Sequence, residues 1–321
     1  MTMKLLLAAA ASCAASLAHA QTYPSKPIRL IVPNAPGGGT DTVARVIADK
    51  LSPALGQQVV VDNRGGAGGR IAAEGVARAP RDGYTLLLGS AATLITGPVL
   101  DGDRKYDPTK DFAYISMAGK TAYMLVVHPS LPAGNVRELV ALARAQPRRI
   151  TYASSGQGSP AHLGMELLQA MSKARFVHVP YKGGAPAMLS LFQGENFVMI
   201  ANFLTALPAA RQSRVRALGV TSLARTRLAP DLPTIAETGL PGFELQQFYS
   251  LVAPAGIPAD VVARLSHEMA QRFAAEDSRR RLDGEGVEVM TSTPQEAAAL
   301  YAAEYAKWAR VIRSAGIKSE G

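Results

Sequence analysis

The segment from residue 28 to residue 45 constrains the fold most strongly, because a strand, a glycine turn and a helix start follow one another there. Residues 29–33 form a short apolar run that predicts a buried strand. The turn at 36–39 ends this strand, and Thr40 or Asp41 can cap the helix that follows. Unpaired backbone N–H groups and the positive end of a helix dipole then meet at one point, which favours an anion.

Three consecutive glycines in this turn have a physical use. Side chains at Gly37, Gly38 and Gly39 would keep a small anion away from the backbone. A flexible turn that binds nothing explains the glycines as well. The chain repeats the pattern with a strand at 150–153, a loop at 154–159 and a helix from Pro160, so the two units together favour a ligand clamp.

Further short apolar runs at 58–61 and 84–88, each followed by a turn, predict βαβ units and a parallel sheet. Ligands of such sheets bind beyond the carboxyl ends of the strands, where residues 37–41 and Ser90 would lie. Two apolar runs within 107–129 predict a crossing into a second domain. The sequence therefore predicts an α/β fold with two domains.

The first twenty residues predict a secretory signal peptide. Lys4 precedes an uncharged run rich in Leu and Ala, and the sequence Ala18-His19-Ala20 is typical of a cleavage site. The only cysteine, Cys13, lies inside this segment, and its lipidation is a weaker alternative. We therefore expect an exported mature chain that begins after Ala20 and contains no disulfide bond.

Charge and motifs exclude several classes of function. The formal net charge is +9, and removal of Lys4 with the signal leaves +8. Basic residues are scattered and no aromatic residues interleave with them, which does not favour nucleic-acid binding. The glycine turns match neither nucleotide-binding pattern, and no G-x-S-x-G elbow is present. We predict no cofactor.

Few side chains suggest metal binding or catalysis. His162 and Glu166 stand four residues apart on a predicted helix, but no further His or Cys lies nearby in sequence to complete a metal site. A hydrogen bond from His162 to an anion in the adjacent loop fits better. Asp41 is the only acid next to the glycine clamp, and helix capping explains it without general-base chemistry. We predict no metal and no catalytic residue.

Eight short motifs carry a resemblance to a known family. They are PGGGTD at 36–41 followed by AR at 44–45, NRGGAGG at 63–69, DGYTL at 82–86, YASSG at 152–156, HVPYKG at 178–183, ALGVTS at 217–222, LPTIAETG at 232–239 and APAG at 253–256. In this order they resemble the Bug family, and the similarity extends from about residue 23 to residue 318. These TctC-like proteins are the periplasmic solute-binding proteins of tripartite tricarboxylate transporters.

The resemblance implies a type II-like Venus-flytrap fold of two α/β lobes, each a mostly parallel sheet flanked by helices. We expect lobe 1 to comprise 21–118 and 225–321, and lobe 2 to comprise 119–224. It also implies a monomer in the periplasm, with a small organic carboxylate as ligand and membrane permease subunits as partners. The expected ligand-binding residues are Ala35, Gly37, Gly38, Gly39, Thr40, Asp41, Ser90, Ser154, Ser155, Gly156, Ser159, His162, Tyr181, Lys182, Asn202 and Phe248.

The chain departs from the family pattern at two places. Ala201 stands where relatives commonly have an acidic residue, and Phe248-Tyr249 stands near a common Trp. Both changes bear on which ligand is bound and leave the clamp intact. Dicarboxylates, tricarboxylates, acidic amino acids and aromatic acids are all candidate ligands at this point. A carboxylate-sensing component is the alternative to transport, and a secreted enzyme acting on an organic acid is a third hypothesis.

Overall fold

A computed structural model describes residues 23–37, 39–100 and 105–317. The predicted signal peptide, Cys13 and Gly38 lie outside these residues. The strands are β1 (Ile28–Val32), β2 (Val59–Asn63), β3 (Thr85–Ser90), β4 (Phe112–Val127), β5 (Thr151–Ser154), β6 (Val177–Pro180), β7 (Val198–Asn202), β8 (Arg216–Val220) and β9 (Gln246–Pro254).

The helices alternate with these strands, as the βαβ pattern predicts. They are α1 (Gly39–Leu55), α2 (Arg70–Ala77), α3 (Gly97–Leu100), α4 (Val136–Ala145), α5 (Pro160–Ser172), α6 (Gly184–Phe192), α7 (Phe203–Arg211), α8 (Ile235–Thr238), α9 (Ala259–Glu268), α10 (Glu276–Asp283) and α11 (Pro294–Ala315). Two π-helical turns, Ala92–Thr96 and Met269–Phe273, and a 3-10 turn, Ala67–Gly69, complete them.

The predicted starts of two helices are confirmed, and the predicted cap of a third is wrong. Ser159 followed by Pro160, and the sequence Thr-Pro-Gln-Glu at 293–296, each predict a capped helix start, and both are confirmed. Ser159 caps α5 by accepting the N–H of His162, and Thr293 forms a capping box with Glu296 at the start of α11. The expected cap at Thr40 or Asp41 is wrong, because α1 begins at Gly39 and both residues lie in its first turn.

The strands form one mixed sheet in the order β2-β1-β3-β9-β4-β7-β5-β6, with β8 paired to β4. Strands β2, β1 and β3 are parallel, and so are β7, β5 and β6 at the other end. The pairs in between, which involve β9, β4 and β8, are antiparallel. The predicted parallel βαβ units are therefore confirmed at both ends of the sheet, and an antiparallel centre joins them.

Strand β4 crosses from one end of the sheet to the other as a single segment of 16 residues. Residues 112–122 pair with β9, residues 123–127 pair with β7 on one edge, and residues 124–127 pair with β8 on the other. The two apolar runs expected within 107–129 are thus parts of one strand. The strand continues through the residues between these runs. Gly119 pairs with Tyr249 of β9 next to a register shift, and Thr121 donates its hydroxyl to the Gly286 carbonyl at 2.6 Å.

Helix α11 covers the centre of the molecule with an aromatic stripe. Tyr301, Trp308 and Ile312 are at most 2% exposed and belong to a core cluster shared by both ends of the sheet. In the sequence, the apolar and aromatic residues from Leu300 to Ile312 recur at helical spacing, which predicts that they form one core-facing stripe. The burial of these three side chains confirms that prediction. This C-terminal helix packs against β4 and α5.

Thr221 ties the end of β8 to the start of β9. Its hydroxyl accepts the N–H of Tyr123 at 2.8 Å and donates to the carbonyl of Leu245 at 2.6 Å. Its backbone N–H donates to the Tyr123 carbonyl at 3.0 Å, and its carbonyl accepts the Leu245 N–H at 2.9 Å. The side chain is fully buried, so this group joins β4, β8 and β9 away from water.

We predict that Thr221→Val destabilises the fold by about 1–3 kcal/mol, because the isosteric side chain leaves the buried Tyr123 N–H and Leu245 carbonyl without their partner. Urea unfolding followed by circular dichroism measures this. Thr221→Ser keeps the hydroxyl and is the control. A Thr221→Val variant as stable as the wild type, or no more destabilised than Thr221→Ser, would contradict the role of the hydroxyl.

Candidate ligand-binding cleft

The loops that follow the parallel strands at the two ends of the sheet face each other across a cleft. The larger part of it, the outer compartment, has a volume of about 640 Å³. It is lined by Ala67, Gly68, Arg70, Ala92, Thr96, Gly97, Leu100, Tyr106, Ser155, Gly156, Gln157, Gly158, Tyr181 and Lys182. These residues follow β2 and β3 on one side and β5 and β6 on the other, as the position of ligand sites in such sheets predicts.

A smaller inner compartment of about 230 Å³ adjoins it and shares Ala92, Thr96, Gln157 and Gly158 with it. The other residues that line it are Ala91, Tyr123, Ser159, Pro160, Leu163, Leu245, Gln246, Gln247 and Trp308. Since Tyr123 lies on β4 and Gln246 and Gln247 lie on β9, this compartment is at the base of the cleft, against the crossing strands.

The structure brings five of the expected ligand-binding residues to this cleft. Ser155, Gly156, Tyr181 and Lys182 line the outer compartment, and Ser159 lines the inner one. The remaining expected residues that are described line neither compartment: Ala35, Gly37, Gly39, Thr40, Asp41, Ser90, Ser154, His162, Asn202 and Phe248. Contact of those residues, and of Gly38, with a ligand stays a prediction.

Asp41 fixes the turn after β1. Its Oδ2 accepts the backbone N–H of Gly37 at 3.0 Å and the Nε–H of Arg45 at 2.9 Å, while Oδ1 accepts from the side-chain amide of Asn63 at 3.0 Å. Burial acts to raise the pKa of Asp41, but these hydrogen bonds, with that from Arg45 foremost, hold the pKa below its usual value. Both oxygens are thus occupied by the protein itself.

Several other expected residues shape the loops from behind. Ser90 donates its backbone N–H to the Thr93 hydroxyl at 2.8 Å and so closes the turn after β3. Asn202 caps α7 by accepting the Leu204 N–H at 2.9 Å. Phe248 is only 4% exposed and packs in the core. These contacts give each of the three residues a structural role.

Sequence reasoning missed the turn after β2 as part of the site. Ala67, Gly68 and Arg70 line the outer compartment, and Arg70 is the first residue of α2. Gly69 has φ +88°, and a Cβ there would lie 2.5 Å from Thr93 and 2.7 Å from Pro33. The NRGGAGG motif was the available signal: a glycine turn before a helix, like the two that were assigned to the clamp.

Three stacked rings support the loop that follows β5. The ring centroids of His162 and His178 are 4.0 Å apart, and those of His178 and Tyr152 are 4.8 Å apart. The Nδ1 atom of His162 accepts the backbone N–H of Gly158 at 3.0 Å, so His162 holds the loop as a neutral ring. Burial first, and then the adjacent His178, lower the pKa of His162 to about 4.

We predict that this stack makes the fold less stable in acid. The pKa of His162 is about 4 in the folded chain and 6.5 as its ordinary value. Between these values the unfolded chain binds a proton that the folded chain does not, so stability falls as the pH drops from about 6.5 to about 4. The loss attributable to His162 reaches up to about 3 kcal/mol.

Urea unfolding of the wild type and of His162→Asn at pH 7 and pH 5 measures this effect. Asn can still accept the Gly158 N–H through its side-chain oxygen but does not titrate, so its stability should change less over this range. An equal change in both proteins would contradict the prediction.

Two further properties concern the described residues only. Within residues 23–37, 39–100 and 105–317, no helix combines the length and hydropathy needed to span a membrane. The same residues contain no group of three or more His, Cys, Asp or Glu side chains placed to hold a metal ion. His162 Nε2 and Glu166 Oε1 are 3.9 Å apart, and that oxygen accepts hydrogen bonds from Tyr152 and Gln169.

Comparison with solved structures assigns the class of protein. The chain is similar to Rhodopseudomonas palustris Rpa4515, solved with adipate (36% identity, 92% of this chain and 99% of that chain, TM-score 0.76). It is also similar to the periplasmic binding protein BugD, with 34% identity, 92% of this chain and 99% of that chain covered, and a TM-score of 0.72. A third similar structure is R. palustris MatC with bound malate, with 32% identity, 90% of this chain and 100% of that chain covered, and a TM-score of 0.72. The fold is that of a periplasmic solute-binding protein, which confirms the predicted fold class.

Comparison of sequences assigns the family. The model of the tripartite tricarboxylate transporter family receptor, TctC, matches residues 43–317. The chain is 36% identical to BugT of Bordetella pertussis over 300 residues, which are 93% of this chain and 92% of BugT. It is 39% identical over 295 residues to a UPF0065 protein in the tcbD-tcbE intergenic region of Pseudomonas sp. strain P51. These residues are 90% of this chain and 86% of that protein. The chain therefore belongs to the TctC family of solute-binding receptors, as its motifs predicted.

Proposed function

We propose that this protein captures a small organic carboxylate in the cleft and delivers it to the permease of a tripartite tricarboxylate transporter. The observation that carries the proposal is the charge of the outer compartment. Arg70 reaches it from one side and Lys182 from the other, and no Asp or Glu is among the described residues that line it. Cations on both sides of a cleft attract and retain ligands of negative charge.

The backbone of the same compartment also suits an anion. Gly156 and Gly158 line it at the end of β5, just before the N-terminus of α5, where the helix dipole favours negative charge. Their own N–H groups donate to the Ser154 hydroxyl and to His162 Nδ1, so they hold the loop in place. Gly156 has φ +125° and Gly158 has φ +70°, values that side chains disfavour. Adipate and malate, bound in two similar proteins, are small carboxylates of the expected kind.

Closure of the cleft would signal that it is loaded. We propose that 21–118 with 225–321, and 119–224, move as two lobes about the crossing strands β4 and β9. A carboxylate between Arg70 and Lys182 would favour the closed arrangement, since it contacts both sides only there. The expected loop at 35–41 would then approach the ligand through its backbone.

The remaining expectations belong to the same proposal. The mature protein would act as a monomer in the periplasm, with no cofactor, metal or nucleic acid. Catalysis is not part of it, because Asp41, the acid next to the glycine clamp, is already bonded to Gly37, Arg45 and Asn63. A sensing role would use the same cleft, and a permease encoded next to this chain would favour transport.

A thermal-shift screen of the mature protein against carboxylates tests the proposal. The panel contains dicarboxylates, tricarboxylates, acidic amino acids and aromatic acids. A ligand at one hundred times its dissociation constant adds about 2.7 kcal/mol of stability, which raises the melting temperature visibly. A folded protein that responds to none of them, with no co-purified carboxylate detected by native mass spectrometry, would overturn the proposal.

We predict that Lys182→Met weakens binding of the best carboxylate by at least about tenfold, because a charge-assisted contact contributes about 1.5–3 kcal/mol. Lys182 is exposed at the rim of the cleft, so the melting temperature without ligand should not change. Isothermal titration calorimetry measures the affinity. Lys110→Met removes the same charge from an exposed site outside the cleft and should bind normally. Equal affinities of both variants would remove Lys182 from the site.

We predict a smaller effect for Ser155→Ala. Ser155 is half-buried and lines the outer compartment, where its hydroxyl can donate to a carboxylate. Loss of one neutral hydrogen bond costs about 1 kcal/mol, or about fivefold in affinity. The same calorimetric titration measures it. Unchanged affinity would mean that only the backbone of this residue contacts the ligand.

A further inference from the structure

The inner compartment differs in character from the outer one. Its walls include Ala91, Leu163, Leu245 and Trp308, and none of the described residues that line it is charged. We propose that the ligand is a carboxylate that carries an aromatic ring. The carboxylate lies in the outer compartment and the ring lies in the inner one. This inference rests on the proposed function and narrows its ligand class.

The volume of the inner compartment suits one ring. An engineered apolar cavity of about 150 Å³ binds benzene. The inner compartment, at about 230 Å³, holds a benzene ring with space left for a short linker. Its four residues in common with the outer compartment make the two spaces adjacent, so a short linker can connect ring and carboxylate.

Some polar groups at the inner compartment are already hydrogen-bonded within the protein, and the remaining polar side chains there are uncharged. The indole N–H of Trp308 donates to Glu304 at 3.0 Å, so its hydrogen-bonding capacity is used inside the core. The amide of Gln246 donates to Glu244 at 2.6 Å. What remains for a ligand is mainly carbon surface together with the side chains of Tyr123, Gln157 and Gln247. An aromatic ring would bury its carbon surface against these side chains, which favours its binding over that of a charged group.

A second carboxylate is a poor occupant of this space. It would lose its hydration beside Leu163, Leu245 and Trp308 with no cation among the described lining residues to compensate. A short dicarboxylate would have to keep both charges in the outer compartment, near Arg70 and Lys182. The two compartments therefore favour an acid with one charged end and one apolar end.

Calorimetric titration with two matched series tests the inference. The first series is acetate, malonate and phenylacetate, and the second is propionate, succinate and 3-phenylpropionate. Within each series only the distal group changes, from hydrogen to carboxylate to phenyl. We expect the phenyl acid to bind at least about tenfold more tightly than the other two members in at least one series, because burial of each apolar carbon improves affinity about fourfold.

A charge placed in the inner compartment should reverse this preference. Gln247 lines only the inner compartment and is half-buried on β9, so Gln247→Lys adds a cation there with little change in size. We expect this variant to bind the phenyl acid at least tenfold more weakly and succinate more tightly than the wild type. Gln271→Lys adds the same charge on an exposed surface and is the control.

The outcomes separate this inference from the proposed function. Tighter binding of malonate and succinate than of both phenyl acids overturns the aromatic ligand and leaves the carboxylate receptor standing. An unchanged ligand preference in Gln247→Lys also overturns the placement of the ring. If no member of either series binds, the aromatic inference fails, and the wider carboxylate screen then decides the proposed function separately.

Discussion

The continuous pairing of β4 with β9, β7 and β8 is the constraint on which the rest of the structure depends. One strand of 16 residues belongs to both ends of the sheet, so the two sets of parallel strands stay connected through it. Thr221 strengthens this junction, because its buried hydroxyl and backbone bond to Tyr123 and Leu245 at once. The cleft lies against this junction and inherits its position from it.

The site on top of this junction is built from loops whose shapes are fixed by small residues and by backbone hydrogen bonds. Gly69 lets the turn after β2 pack within contact distance of Pro33 and Thr93. The stacked His162 and His178 hold the loop after β5, with the Gly158 N–H as the link. Charged side chains then complete the outer compartment, while the inner one is left apolar by the core that surrounds it.

Much of the fold could be predicted from the sequence because the signals were local. Strand and helix order, the caps at Ser159 and Thr293, and the aromatic core stripe of α11 all depend on residues close in the chain. The start of α1 at Gly39 and the continuity of β4 could not be predicted in this way. A helix start depends on how the preceding turn packs, and β4 stays extended because partners from distant parts of the chain bond to both of its edges.

The sequence by itself determined the α/β class, the two strand–turn–helix units and membership of the TctC family, since ordered motifs and periodic apolar runs need no tertiary contacts to be recognised. Only the tertiary structure decided which side chains share the cleft. It added Arg70, Gln247 and Trp308, which lie far apart in sequence, and it placed the described part of the 35–41 turn outside both compartments. The physical reason is that a cavity is defined by packing across the crossing strands, and local patterns do not encode that packing.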